Sequence, residues 1–269
     1  MKELDVLLRE SCASGILSWS QEKTMAEAAG LSLRELEDRA LTLGILPMRY
    51  KRNRKSFNIE DQHRLLHSRV TVIGCGGLGG FVIEELCRLG VGAIQAWDYD
   101  DFAEHNLNRQ LLLTMKLIGQ VAARRAKAIN PVVDFQTINA LLDKKTGREK
   151  LPGQQVVVDA LDHIPSRLLL AELCNTLGIP LVHGAIAGWY GQVTTLLPGD
   201  DTLEKLYQHC IGGVGGIEKD QGIMAFTPAT IASIQVAEVV KLLLGHGELL
   251  NGRVLMIDLL DLTFEIMQI

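Results

Sequence analysis

Gly74, Gly76 and Gly79 stand in the spacing G-x-G-x-x-G, between the β-branched run RVTVIG and the apolar stretch FVIEELCRLGV. After a strand and before a helix, this spacing binds phosphate. The first glycine permits the tight turn, the second lets backbone approach a phosphate, and the third lets the helix pack close to the strand. The helix N-terminus then turns its free N–H groups toward the anion. Asp98 ends the next strand run, AIQAWDYD, where an acid accepts hydrogen bonds from ribose hydroxyls. Beyond it come Asn106, Asn108, Arg109 and Gln110. Arg109 is planar, permanently charged and rich in donors, the natural partner of phosphate oxygens. A dinucleotide has one bridging diphosphate. An added arginine and amides facing the same pocket suit a triphosphate better. The plainer alternative for these residues is a helix-capping loop with a surface arginine.

The elements that must position these groups are legible as alternation. RVTVIG, AIQAWDYD, VVDFQTIN, QVVVDALD, PLVHGAIAG and GQVTTLLPG read as strands, several of them continuously apolar as in a buried parallel sheet. FVIEELCRLGV, VAARRAKAINP, SRLLLAELCNTLGI and TPATIASIQVAEVVKLLLG read as helices. The C-terminal RVLMIDLLDLTFEIMQI alternates like a hairpin at a sheet edge. The pattern predicts an α/β fold, a doubly wound Rossmann-like mixed sheet with a small helical N-terminal segment. We divide it into residues 1–46, the helical segment, and 47–269, the nucleotide-binding domain.

In the first segment MKELDVLLRESCASG reads as an amphipathic helix with acids in its apolar part, which excludes a signal peptide. Ser32 and Glu35 form a capping box for the next helix, with Gly44 as its stop. A helical pair could read DNA, but this one is acid-rich and lacks a basic recognition face, so a cap on the main domain is the expectation. The basic run RYKRNRKSF, Arg49 to Phe57, reads by default as a solvated linker.

Composition narrows the class further. The 269 residues are 47% hydrophobic and 22% charged, with net charge -5, an ordinary globular mix that argues against nucleic acid as a partner. The apolar runs read as too short and interrupted to span a membrane. The five cysteines, Cys12, Cys75, Cys87, Cys174 and Cys210, are scattered with no C-x-x-C pair. That argues against a disulfide framework or a tetrahedral zinc site, and for a cytoplasmic location.

Taken together, VIGCGGLGG, DYDDF, NLNRQ, INP, DALD and the TPATIASIQVAEVVKLLLG helix resemble, in order, the ThiF/MoeB/HesA family of bacterial ubiquitin-activating-enzyme relatives, over residues 49–269. The resemblance implies ATP-dependent adenylation of the C-terminal glycine of a small ubiquitin-like sulfur-carrier protein ending in Gly-Gly. Thiamine and molybdenum- or tungsten-cofactor pathways use such carriers. It further implies that Gly76 and Gly77 line the phosphates, Asp98 binds ribose, Asn106 and Arg109 hold the triphosphate, and Gln110 supports the same region. Asp162, in DALDHIPSR, matches the acid near the α-phosphate and Mg2+, with Arg167 bracing its loop; its bland alternative is a helix N-cap. RYKRN is similar to the family's RYxRQ segment, which implies that Arg52 reaches a partner's site across a homodimer.

Two departures stand out. The family's G-x-x-K turn, counted from Gly119, ends here on Ala122. Lys116, or else Arg124 or Arg125, would have to replace the lysine. Failing that, the chain is a non-catalytic nucleotide-binding scaffold. The glycine turn alone would also suit an NAD(P)-dependent oxidoreductase, which leaves RYKRN and Asp162 unexplained. Second, the crossover segment DDTLEKLYQHCIGGVGGIEKDQG carries Cys210 beside His209, either an activated thiol or an ordinary apolar cysteine.

Overall fold

The computed structural model describes residues 2–12, 14–99, 104–111, 118–208 and 222–269. Three helices, α1 (Lys2–Ser11), α2 (Trp19–Ala29) and α3 (Leu33–Thr42), form the N-terminal segment, with short strands β1 (Ile16–Leu17) and β2 (Leu46–Pro47) paired in parallel. Ser18 with Gln21 and Ser32 with Glu35 make capping boxes, the second as the sequence predicts. Each such cap stabilises its helix by about 1 kcal/mol. Leu8, Leu17, Met25, Leu36, Ala40 and Ile45 give the segment a small core of its own.

After a 3-10 turn at Met48–Tyr50 and α4 (Ile59–Leu66), the chain enters an eight-stranded sheet. Its strands are β3 (Arg69–Ile73), β4 (Ala93–Trp97), β5 (Asp134–Ile138), β6 (Val156–Asp159), β7 (Leu181–Ala187), β8 (Tyr190–Leu196), β9 (Arg253–Asp258) and β10 (Thr263–Gln268). The order is β10-β9-β8-β7-β6-β3-β4-β5. From β7 to β5 all neighbours are parallel, and β8, β9 and β10 add antiparallel strands at one side. The predicted C-terminal hairpin is β9–β10, with β10 at the edge.

Both faces of the sheet are covered. Side chains alternate along each strand, so Val156 and Val158 face one core and Val157 the other. The first core lies under α5 (Gly77–Leu89), α6 (Ile118–Ile129) and α10 (Phe226–Leu244). The second lies under α7 (Lys144–Lys150), α8 (Ile164–Leu177) and α9 (Thr202–Tyr207). The expectation that no run has the length of a membrane span is corrected at α10. Its 19 residues are long and apolar enough, but 61% of that window is buried inside the fold, as in a core helix.

The sheet reverses its order between β3 and β6. Strands β4 and β5 run out on one side of β3, and β6 returns on the other. In such sheets ligands bind at that switch point, beyond the carboxyl ends of the strands. The turn after β3 and the turn after β6 therefore define the site.

The basic run is not a solvated linker throughout. Arg49 is largely buried and pairs with Glu22 (2.6 Å) and Glu37, both buried on α2 and α3. Tyr50 is wholly buried. Its hydroxyl receives a hydrogen bond from the Asn130 amide (2.8 Å), and Asn130 also donates to the Cys87 carbonyl near the end of α5 (3.1 Å). The stretches RYKRN and INP, 80 residues apart, thus close on each other.

Candidate active site

Gly74 ends β3 with φ +93°, a conformation that L side chains rarely adopt. A Cβ there would lie 2.6 Å from the carbonyl oxygen of Ala160, in the turn after β6. The two turns at the switch point therefore meet backbone to backbone. A Cβ on Gly79 would overlap the Gly74 carbonyl, so the third glycine sets how closely α5 packs on β3. At the start of α5, Gly76 is the N-cap and provides no side-chain cap. The first N–H groups of the helix thus keep their capacity for an anion.

The polar cluster lies over this turn. A Cβ on Gly76 would meet the Gln110 amide at 3.4 Å, and one on Gly77 the Arg109 Cγ at 3.3 Å. Arg109 is oriented by its own loop, the 3-10 turn Glu104–Asn108. Its guanidinium donates to the Asn108 side-chain oxygen (3.0 Å), the His105 carbonyl (3.4 Å) and the Asn106 side-chain oxygen (3.5 Å). Asn108 in turn donates to the carbonyl of Ile223 (2.9 Å), where the chain returns toward α10. Asp98 accepts the Cys75 N–H at 2.7 Å and so fixes the glycine turn to the end of β4. Gln110 Oε1 is buried with no hydrogen-bond partner among the described residues. A buried acceptor costs free energy until a donor reaches it.

On the other side of the switch point, Asp162 is exposed, its side chain 84% accessible, and among the described residues its one ion pair is with its neighbour His163 (2.8 Å). Its alternative as a helix cap is not what the chain builds: the N-cap of α8 is His163, without a side-chain cap bond. Arg167 is buried and braces this turn as expected, donating twice to the Leu161 carbonyl (2.7 and 3.1 Å) and once to the Tyr207 hydroxyl (3.1 Å).

Sequence reasoning missed what lies beneath. Asp159 and His183 are both wholly buried, and Asp159 also accepts the Leu161 N–H (2.9 Å). The His183 Nδ1 faces Asp159 at 2.7 Å, while Nε2 faces Tyr207 (3.2 Å) and Gln192 (3.3 Å). Burial pushes the His183 imidazole below its ordinary pKa despite the Asp159 carboxylate, so it is neutral. A proton assigned to Nδ1 satisfies Asp159 and leaves Nε2 to accept. The first aspartate of DALD ends β6 and pairs in register with the histidine of LVHGAIAG, the third residue of the adjacent parallel strand β7.

Several expected residues fall elsewhere. Ala122 is fully buried in the core under α6. Arg125 pairs with Glu84 on α5 (2.8 Å), seven residues past the start of that helix. Arg124 and Lys127 are exposed. Lys116, Cys210 and His209 lie outside the described residues. Arg52 is exposed in the turn after Tyr50. Trp189 and Tyr190 are 40% and 44% exposed, and the Trp189 ring lies 4.8 Å from Phe226.

A doubly wound sheet with an uncapped glycine turn, a positioned arginine and an exposed aspartate at its switch point defines a nucleotide-binding enzyme. The chain belongs to the ThiF family, whose profile matches residues 50–269, and it is an adenylyltransferase of the ubiquitin-activating type. It is 41% identical over 213 residues to the SAMP-activating enzyme E1 of Haloferax volcanii, covering 77% of this chain and 78% of that one. It is 34% identical over 220 residues to the sulfur carrier protein adenylyltransferase of Thermus thermophilus, covering 76% and 80%. It is 32% identical over 232 residues to the molybdopterin-synthase adenylyltransferase of Salmonella typhimurium, covering 82% and 92%. The fold matches a crystal structure of E. coli MccB with AMPCPP and MccA at TM-score 0.69 and 20% identity, covering 82% of this chain and 71% of that one.

Proposed function

We propose that this chain uses ATP to adenylate the C-terminal glycine of a small ubiquitin-like sulfur carrier of the ThiS or MoaD type, as a homodimer. The observation that carries the reading is the placement of Arg109 and Gln110 over Gly77 and Gly76, across the switch point from the turn bearing Asp162. The phosphates lie against the N-terminus of α5. Arg109, steadied by Asn106 and Asn108, faces the triphosphate, and Gln110 Nε2, the end of the amide over Gly76, donates to it. Asp98 carries the ribose.

The residues present fit magnesium. Mg2+ takes one or two carboxylates and completes its shell with water and phosphate oxygens, and Asp162 is an exposed carboxylate at the mouth of the site. Bound there, the ion would neutralise phosphate charge.

A carboxylate oxygen of the carrier's terminal glycine attacks the α-phosphorus. The bond to the β-phosphate oxygen breaks, and pyrophosphate leaves with its electron pair. No general base is required, because the carboxylate is already ionised at neutral pH; the site supplies positioning and charge stabilisation. Arg52 comes from the second subunit. Tyr50 anchors the basic run beside Gly90, where α5 ends. The glycine turn lies at the other end of that helix, about 20 Å away.

The test is ATP–pyrophosphate exchange by purified protein with Mg2+ and a carrier ending in Gly-Gly. We expect carrier-dependent exchange that falls by about a hundredfold or more in Arg109→Ala and Asp162→Ala. ATP binding without exchange for any such carrier would overturn adenylation in favour of a nucleotide-binding scaffold.

A further inference from the structure

We propose a second metal site, for a divalent transition ion such as Zn2+, built from Asp38, His63 and His67 at the junction of the N-terminal segment with the nucleotide-binding domain. Asp38 is on α3, His63 is in the last turn of α4, and His67 is the C-cap of α4. The histidines are four residues apart, the helical spacing that sets two side chains on one face. Their Nε2 atoms lie 3.3 Å apart and each faces the same oxygen of Asp38, at 2.7 and 2.6 Å.

This convergence is the ground for the proposal. Tetrahedral zinc holds two imidazole nitrogens about 3.3 Å apart, given Zn–N bonds of about 2.0–2.1 Å. A triangle of the observed size has points at about that distance from all three corners. The carboxylate oxygen needs to move outward by about 0.8 Å to reach the same tetrahedral separation from both nitrogens. One carboxylate oxygen can accept both Nε2–H donors, but those two donors then face each other at 3.3 Å.

Two imidazoles and a carboxylate select a transition ion over Mg2+ or Ca2+. The side chains are 35%, 57% and 42% exposed in the order His63, His67, Asp38, which leaves room for a water as fourth ligand. The site is separate from the switch point and uses no cysteine. Bound metal would join α3 to α4. Arg34, one turn before Asp38, already joins the same elements by donating to the carbonyls of Leu66 (2.8 Å) and Gly92.

The test uses the full-length chain, stripped of metal and titrated with Zn2+ against a chromogenic chelator, and in parallel with Co2+. We expect one Zn2+ per chain, a rise in Tm on binding, and visible Co2+ bands of a four-coordinate nitrogen and oxygen site without thiolate charge transfer. His63→Gln and His67→Gln should each weaken Zn2+ by about tenfold or more and abolish the Tm rise. No stoichiometric Zn2+ uptake by the wild type overturns the proposal. So does uptake unchanged in both variants, or a thiolate band in the wild-type Co2+ spectrum, which needs no variant to fold.

Discussion

His183 Nδ1 lies 2.7 Å from Asp159 Oδ2, with both side chains fully out of solvent. The pair is the base of a chain that runs through Tyr207 to Arg167 and ends on the Leu161 carbonyl, one residue before Asp162. The exposed carboxylate at the mouth of the site is thus placed by a dry network below it. His183→Ala leaves a buried carboxylate without its hydrogen-bond donor, a change that costs about 1–3 kcal/mol. We expect Tm to fall by roughly 5 °C in a thermal melt. His183→Gln, whose amide can still donate to Asp159, should lose less.

The Glu22–Glu37–Arg49 cluster predicts a pH dependence of the opposite sign to ordinary acid denaturation. Burial pushes the Glu37 carboxyl up to about 7, against the attraction of Arg49 and helped by the charge of Glu22. Between its unfolded value near 4.5 and about 7, the folded chain holds a proton that the unfolded chain has lost. The contribution to stability is therefore complete below about 4.5 and lost as pH rises through about 7. Its ceiling is about 3 kcal/mol. His183 opposes it, because a depressed imidazole pKa loses stability as pH falls below the unfolded histidine range. The measurement is therefore a difference: urea midpoints of wild type and Glu37→Gln at about pH 5 and pH 8. The wild type should lose stability relative to the variant as pH rises, and equal slopes would refute the assignment.

Much of the fold was legible because its signals are local. Periodicity marked the strands and long helices, and Ser32 with Glu35 marked a helix start. The glycine spacing located the turn after β3, because each glycine answers to a contact within or beside that turn. The burial of Arg49 was not legible. A basic run reads as solvated until the acids that pair with it are known, and Glu22 and Glu37 lie 27 and 12 residues away on other helices. The burial of Ala122 was hidden for the same reason. Counting from a glycine finds a position along the chain, but only the sheet decides which side of α6 faces the core, and Ala122 shares that side with Ala126.

The glycines separate fold from binding. Gly79→Ala would drive a methyl into the Gly74 carbonyl, displacing α5 from β3. We expect a loss of Tm of several degrees, together with lost nucleotide binding. Gly76→Ala meets only the end of the Gln110 side chain, at 3.4 Å, with no positive φ to strain it. Its Tm should stay within about 2 °C of wild type. Its KM for ATP should rise, since the methyl occupies the space a phosphate needs. Calorimetry and a nucleotide titration on the two proteins check the contrast. Similar Tm losses in both would show that Gly76 serves packing alone.

If Arg52 acts across a dimer, two inactive chains should restore each other. Tyr50 holds the basic run at the end of α5 away from the glycine turn, so under the proposed function Arg52 would serve a second copy's site. In a mixed dimer of Arg52→Ala with Asp162→Ala, one site combines an intact Asp162 from the first chain with an intact Arg52 from the second. The other site lacks both. Random pairing on co-expression makes half the dimers mixed, so about a quarter of all sites are complete. We expect the co-expressed pair to recover about a quarter of wild-type pyrophosphate exchange, while each variant alone stays near background. A mixture as inactive as its components, from a preparation shown by differential tags to contain mixed dimers, would place Arg52 in its own chain's site or outside the reaction.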